Sequence, residues 1–280
     1  MKDTYKTLNQ KQYNLLRDIP EVVQTSYAKV LLRLAKQNQS IIDVGFGSGL
    51  CLLPLVKNNS HAILYGIDYS KTLFDDVAIQ IKDKAKLFFQ DVYEHKGLYD
   101  VIHFKAILHC FEKPEKALKR IMSLSKPGGY IVTGHEHSQI EDRIEQIFDV
   151  AVHDKDLEFI FEYYFTLRTN MQKPFLWRKF PAAQSFSAVE YICKHKKFSL
   201  VEKIISPKEL SWQREYCLQD IFDVIIHSTY NVFNYGLSKK DKMIINQKML
   251  DFISLHRFKM KEKRTIPASF ILYIIKHNVQ

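Results

Sequence analysis

Ile41-Ile42-Asp43-Val44-Gly45-Phe46-Gly47-Ser48-Gly49-Leu50 sets a short apolar run against a turn with glycine at every second position. A helical stretch, Leu50 to Val56, follows. Glycines at a strand-to-helix turn let backbone N–H groups approach a ligand closely. The phosphate loop GxxxxGK[ST] fails here, because Leu50-Cys51 follow Gly49. The dinucleotide fingerprint GxGxxG asks for Gly or Ala at position 50, where Leu50 stands. What remains is a GxGxG turn preceded by an acid, Asp43.

Working outward, the same rhythm repeats. Residues 21–37 place Val22, Val23, Tyr27, Val30, Leu31 and Leu34 at helical spacing, with Pro20 as the entry signal. Ile63 to Ile67 reads as a strand that stops at Asp68, and Ser70 is positioned to cap a helix through Ile81. Lys86 to Phe89 is a third strand, ending near Asp91, and Asp100 to Phe104 a fourth. Pro114 to Leu124 is a helix, and Lys126-Pro127-Gly128-Gly129 turns into the strand Tyr130 to Thr133. Apolar strands alternating with helices imply βαβ units and a parallel sheet covered on both faces. After residue 140 the rhythm breaks. Residues 141–197 and 209–264 read as mainly helical, separated by a strand at 198–206, and Ser269 to Lys276 is a final strand.

Two acids accompany the glycine turn. Asp68 lies 19 residues beyond Gly49, where a strand-end carboxylate can accept both ribose hydroxyls of an adenosine. Asp91 ends the third strand, where it can accept from an adenine amino group while the Val92 backbone contacts the ring. Three polar groups at three strand ends occupy one mouth of the sheet, the place where open α/β sheets bind ligands.

With IIDVGFGSGL (41–50), LYGIDYS (64–70), FFQDVY (88–93), YDVIHFKAILHCFEKPEKAL (99–118) and LSKPGGYIVTG (124–134) in this order, the chain resembles the class I S-adenosylmethionine-dependent methyltransferases. The resemblance covers residues 40–135 and, more weakly, the last strands. It implies a Rossmann-like α/β fold: a seven-stranded, mostly parallel sheet with an antiparallel last strand, helices on both faces, and helical cap insertions. One domain over residues 1–280 follows, its core at about 20–140 with strands 198–206 and 268–277, and its caps at about 150–197 and 207–266. It also implies S-adenosyl-L-methionine as cofactor. Gly45, Phe46, Gly47 and Gly49 would border its methionine and ribose, with Asp43 holding the loop or the amino group. Asp68 would bind the ribose, Tyr69 would flank the adenine, and Asp91 and Val92 would recognise its edge. The backbone at Phe104 and Lys105 would approach the methionine end. Phe46 and Lys105 depart from the family's small residues at those positions.

Methyl transfer from a sulfonium needs positioning and exclusion of water more than a dedicated nucleophile, so the catalytic list can be empty. His109 and His135 are the candidate bases. Tyr5, Tyr13, His109, Glu136, His137 and Arg178 are the candidates for substrate contact. His135 and His137 would share a face of a strand, but two histidines without further ligands do not make a metal site, and none is expected. Arg168 and Arg178 in the aromatic stretch 159–180 suit a lid that meets an anionic group.

Composition sets the remaining bounds. The 280 residues carry a formal charge of +10 with 46% hydrophobic residues, too apolar for a disordered chain. Residues 1–140 and 141–280 each hold an excess of five basic side chains, so the charge marks no single nucleic-acid face. Cys51, Cys110, Cys193 and Cys217 form no CxxC and fit a reducing compartment. No apolar run spans a membrane and the first ten residues lack a signal-peptide centre, so a cytoplasmic monomer or homodimer is expected. The leading expectation is methyl transfer to a small-molecule acceptor. An RNA or protein methyltransferase is the second reading, since the pI is about 9.2. The amino-directed motif of nucleic-acid enzymes is replaced by Phe104-Lys105-Ala106-Ile107. A cofactor-binding protein without transfer activity is the third.

Overall fold

The apolar runs that alternate with amphipathic stretches assemble as one sheet between two helical layers. The computed structural model describes residues 19–59, 61–108, 111, 113–137, 154–173, 185–205, 207–227 and 236–279. Its strands are β1 (Ser40–Val44), β2 (Ile63–Asp68), β3 (Lys86–Phe89), β4 (Tyr99–Lys105), β5 (Ser125–His137), β6 (Phe198–Ile205), β7 (Ser211–Tyr216) and β8 (Arg264–His277). The order is β3-β2-β1-β4-β5-β8-β6, with β7 also paired to β8. The first five strands are mutually parallel, and β8 is antiparallel to β5, β6 and β7.

Both faces are covered because β1 to β5 are apolar on both sides. On one face α1 (Glu21–Leu32) and α2 (Leu52–Asn58) bury Tyr27, Leu31 and Leu55 against Ile41, Val101 and Leu272. On the other, α4 (Pro114–Ser123) and α6 (Ser185–Cys193) pack Leu118, Ile121 and Ile192 against Ile42, Ile102 and Ile131. Between α2 and α4 in the chain, α3 (Lys71–Ile81) closes a smaller cluster of Phe46, Leu52, Val77 and Ile81.

The sheet has eight described strands, not seven. The added strand is β7, inside a stretch whose composition suggested helix. Its alternation of exposed Gln213 and Glu215 with buried Trp212, Arg214 and Tyr216 is a period of two. β7 runs alongside the N-terminal part of β8, Arg264 to Ser269, most of which precedes the final strand expected from Ser269. β5 likewise starts at Ser125, so Lys126 to Gly129 lie within the strand rather than in a turn. A register shift between Tyr99 and Val101 absorbs them, and a side chain at Gly129 would meet the Asp100 carbonyl at 2.6 Å.

The remaining helices form a second apolar cluster. α5 (Lys155–Asn170), α7 (Leu218–His227) and α8 (Lys239–His256) bury Leu157, Tyr164, Phe222, Met249 and Phe252 together. Asp154 caps α5 through the N–H groups of Asp156 and Leu157. It also receives Arg264 Nη1 at 2.7 Å and the Tyr216 hydroxyl, while Arg264 Nη2 reaches Asp156 at 2.7 Å. This cluster of charges ties the outer end of β7 and β8 to the helical cap.

Candidate functional site

The chain passes from β1 out to β2 and β3, then returns across β1 to lay down β4 and β5. The crevice at the ends of β1 and β4 is the point where strand order reverses, and loops there must diverge. The glycine turn leaves β1 at this point. Gly45 has φ +71°, and a Cβ there would fall 2.5 Å from Ile107 Cγ2. Gly47 has φ +56°, and its N–H donates to Asp68 Oδ2 at 2.7 Å. Only glycine meets both demands at low cost.

Asp68 thus buttresses the turn. Its Oδ1 accepts from the Ser70 N–H at 2.7 Å. Burial pushes its carboxyl from 3.8 up to about 6, against the pull of the N–H groups of Ser70, Gly47 and Tyr69; the charge of Asp43 adds to the rise. Asp43 and Asp68 lie near the ends of the neighbouring parallel strands β1 and β2. Asp91 shares the rim: Phe89 pairs with Asp68 across β2 and β3, and Asp91 follows two residues later, in a loop beyond the strand end. Its Oδ1 accepts from Tyr93 N–H at 3.0 Å. The same loop is clamped by Arg120, which donates to the carbonyls of Val92 and His95, and by His95 Nε2, 2.6 Å from the Tyr99 hydroxyl. The Val92 carbonyl therefore already has a partner.

Asp43 faces His103, its register partner on β4, rather than the turn. Asp43 Oδ1 is 2.7 Å from His103 Nδ1, and His103 Nε2 is 2.8 Å from the Tyr27 hydroxyl. A histidine between Ile102 and Phe104 in a doubly covered strand was a readable signal of buried polar chemistry; nothing in the sequence marked Tyr27 as its partner. Ser70 begins α3 as expected, yet its hydroxyl makes no cap. Asp43 Oδ2 and the hydroxyls of Ser48 and Ser70 are buried without a hydrogen-bond partner.

The aromatic residues divide between packing and rim. Phe46 is buried beneath the turn, and it fits because β2 carries Gly66, where a Cβ would lie 2.8 Å from Phe46 Cδ1. Only the backbone of Phe46 faces the turn's ligand side. Tyr69 stacks on Phe89 with ring centroids 6.4 Å apart. Phe104 is buried in the core, whereas Lys105 lies on the α1 side with Nζ 4.5 Å from the Phe270 ring and 5.8 Å from that of Tyr27. Trp212 continues this wall, 5.1 Å from Phe270. After Lys105 the chain turns sharply at Ala106, a non-glycine with φ +54°.

His135 stands on β5 with its ring 6.1 Å from that of Tyr273. Glu136 and His137 pair through their backbones with Phe270 and Ser269. Tyr5, Tyr13, His109 and Arg178 lie outside the described residues. Arg168 is buried in the helical cap, where Nε donates to the Lys173 carbonyl at 3.0 Å, so it does not serve as a lid residue. Among the described residues no three His, Cys, Asp or Glu side chains gather as a metal site, and no helix is long and apolar enough to cross a membrane.

Comparison with known proteins agrees with this fold. The chain is 30% identical over 97 residues to the uncharacterized methyltransferase YdaC of Bacillus subtilis (strain 168), a match over 33% of this chain and 54% of YdaC. The chain thus spans about half the length of that curated relative. Two crystal structures share the fold at 12% identity: YcgJ of Bacillus subtilis, with a TM-score of 0.51 over 92% of this chain and 99% of YcgJ, and the candidate methyltransferase BH2331 of Bacillus halodurans C-125, with a TM-score of 0.50 over 91% and 100%. A family model described as a methyltransferase domain matches residues 19–158, half of the chain. The chain therefore belongs to the methyltransferase-domain family, the class I enzymes whose cofactor is S-adenosylmethionine.

Proposed function

We propose that the protein transfers a methyl group from S-adenosylmethionine to a small-molecule acceptor. The observation that carries this reading is that the strand ends bearing Asp43, Asp68 and Asp91 meet the glycine-rich turn at the reversal of strand order, with Gly47 N–H bonded to Asp68. The donor and acceptor set suits the cofactor. Asp68 accepts from the ribose hydroxyls, and Asp43 Oδ2 accepts from the ammonium. Asp91 accepts from the adenine amino group, beside Tyr69 and Val92. The open hydroxyls of Ser48 and Ser70 lie along the same turn, and the backbone of Gly45, Gly47 and Gly49 leaves room for the chain of the ligand.

Bound there, S-adenosylmethionine supplies an already activated methyl group for in-line displacement. The protein's own task is to hold the acceptor in line and keep water away. Lys105, Tyr27, Phe270 and Trp212 pack together, buried, beside the end of β4, and α5, α7 and α8 form a second apolar cluster. A proton at the acceptor, where one must leave, would fall to His135 or His109. One domain over residues 1–280, with the helices acting as caps on the cofactor core, is the organisation this reading requires.

Isothermal titration with S-adenosylmethionine, S-adenosylhomocysteine and NAD tests the cofactor. Transfer of methyl-tritiated cofactor into the small-molecule, RNA and protein fractions of an extract tests the acceptor. Label in the small-molecule fraction supports the proposal. Label confined to RNA or protein moves the acceptor to a macromolecule, and tight binding with no label in any fraction leaves a cofactor-binding protein without transfer.

A further inference from the structure

A row of three buried side chains links helix α1 to the glycine turn. Tyr27, His103 and Asp43 are each no more than 2% exposed. The row is set by register: His103 and Asp43 are partners across β4 and β1, and Tyr27 reaches down from α1 to the far side of the imidazole. An ionised Asp43 can only accept, so Nδ1 of His103 carries the proton and Nε2 accepts from the Tyr27 hydroxyl. The Tyr27 ring is held in turn edge-on to His103, at 5.5 Å, and edge-on to Phe270, at 4.9 Å. Every link is closed except the last atom: Asp43 Oδ2 is buried and accepts no hydrogen bond. A row that served packing alone would leave no carboxylate oxygen open at its end, because an unpaired buried acceptor is costly. Asp43 stands at the end of β1, two residues before Gly45, so the unpartnered oxygen lies where the strand gives way to the glycine turn.

We propose that Tyr27 and His103 are positioning residues for the methyl donor. They fix the rotation of the Asp43 carboxylate, through the Nδ1–Oδ1 bond, so that Oδ2 meets the donor's ammonium group. This rests on the reading of Asp43 given above and extends it to two residues that never touch the ligand. Their effect is confined to the amino-acid end of the cofactor, because Asp68 and Asp91 hold the adenosine independently.

The test compares two probes by calorimetry: S-adenosylhomocysteine, which carries the ammonium, and 5′-methylthioadenosine, which lacks the amino-acid portion. Tyr27→Phe is expected to weaken S-adenosylhomocysteine by about three- to tenfold, the range for one net hydrogen bond, and to change methylthioadenosine by less than about twofold. Tyr27→Phe combined with His103→Leu also leaves the buried Asp43 carboxylate unpaired, so its melting temperature is measured alongside, and it is expected to show the same selective loss, at least as large. Asp43→Asn separates the two levels of the argument. If it spares both probes, the reading of Asp43 itself fails. If it weakens S-adenosylhomocysteine alone while the Tyr27 and His103 variants do not, the positioning proposal is overturned and the reading of Asp43 stands. Equal losses for both probes in the Tyr27 and His103 variants would mean a structural role only, and would likewise overturn it.

Discussion

Acidification from pH 7.5 to 5 is expected to weaken adenosine binding through Asp68. The folded, ligand-free carboxyl titrates at about 6 because burial outweighs the N–H groups of Ser70 and Gly47. Ribose hydroxyls donate to the carboxylate and favour its ionised form. Hydrogen bonds to a charged group contribute about 1.5–3 kcal/mol, so the carboxyl in the complex titrates roughly one to two units lower. Between those two values the proton and the ligand compete. The resulting loss of affinity is about five- to tenfold at pH 5 and less than about 1.5-fold at pH 6.5, relative to pH 7.5. Calorimetry with 5′-methylthioadenosine measures this cleanly, since the probe has no titrating group in that range. Asp68→Asn is expected to bind more weakly at every pH and to lose the slope. An affinity in the wild type that stays flat from pH 7.5 to 5, or an equal slope in Asp68→Asn, would refute the assignment of the ribose to Asp68.

Two further expectations concern stability. Gly66→Ala places a methyl 2.8 Å from Phe46 Cδ1 and Leu52 Cδ2 and is expected to cost about 1–3 kcal/mol in urea unfolding; adding Phe46→Leu recovers part of that loss if the two positions are coupled. Arg264→Met strands the buried Asp154 and is expected to cost about 3 kcal/mol. Burial raises the Asp154 pKa, but hydrogen bonds from Tyr216 and Arg264 win and hold it below 3.8. Its stabilising contribution is therefore present above the unfolded value and lost as pH falls through the folded one, so the difference between wild type and Arg264→Met narrows below about pH 4.

The cofactor half was legible because its signals are local. A glycine at every second position, an acid at a strand end and an apolar run of four or five residues each have a physical cause within a few residues of chain. Those signals predicted β1 to β4 and the side of the sheet on which Asp68 and Asp91 meet. What failed depends on partners distant in sequence. β7 reads as helix-rich surroundings until its alternation is set against Arg264 to Ser269, 48 to 58 residues on. Ser70 stands at the start of α3 with its N–H on Asp68, and its hydroxyl makes no bond to the helix. Phe46 looked like a ligand-facing departure from the family, and Gly66, one strand away, turns it into core. Tyr27 is one of six positions set at helical spacing over residues 21–37, and only the fold reveals that its hydroxyl meets His103.

The site is built against its own stability. With its pKa raised from 3.8 to about 6, Asp68 stabilises the fold below the unfolded value and loses that contribution as pH rises through 6. At neutral pH the ligand-free protein carries a penalty of up to about 3 kcal/mol for keeping this carboxylate ionised. Asp43 adds like charge nearby and leaves an oxygen unpaired. The same burial strengthens any hydrogen bond a ligand donates into the site. On the proposed reading, a donor with a ribose and an ammonium brings hydrogen bonds to both acids, which offsets part of their desolvation penalty in the complex. The folded state is then stabilised by mass action as cofactor concentration exceeds the dissociation constant. On the proposed reading the acids that are costly alone are the ones that select the ligand, Asp43 by its ammonium and Asp68 by its ribose.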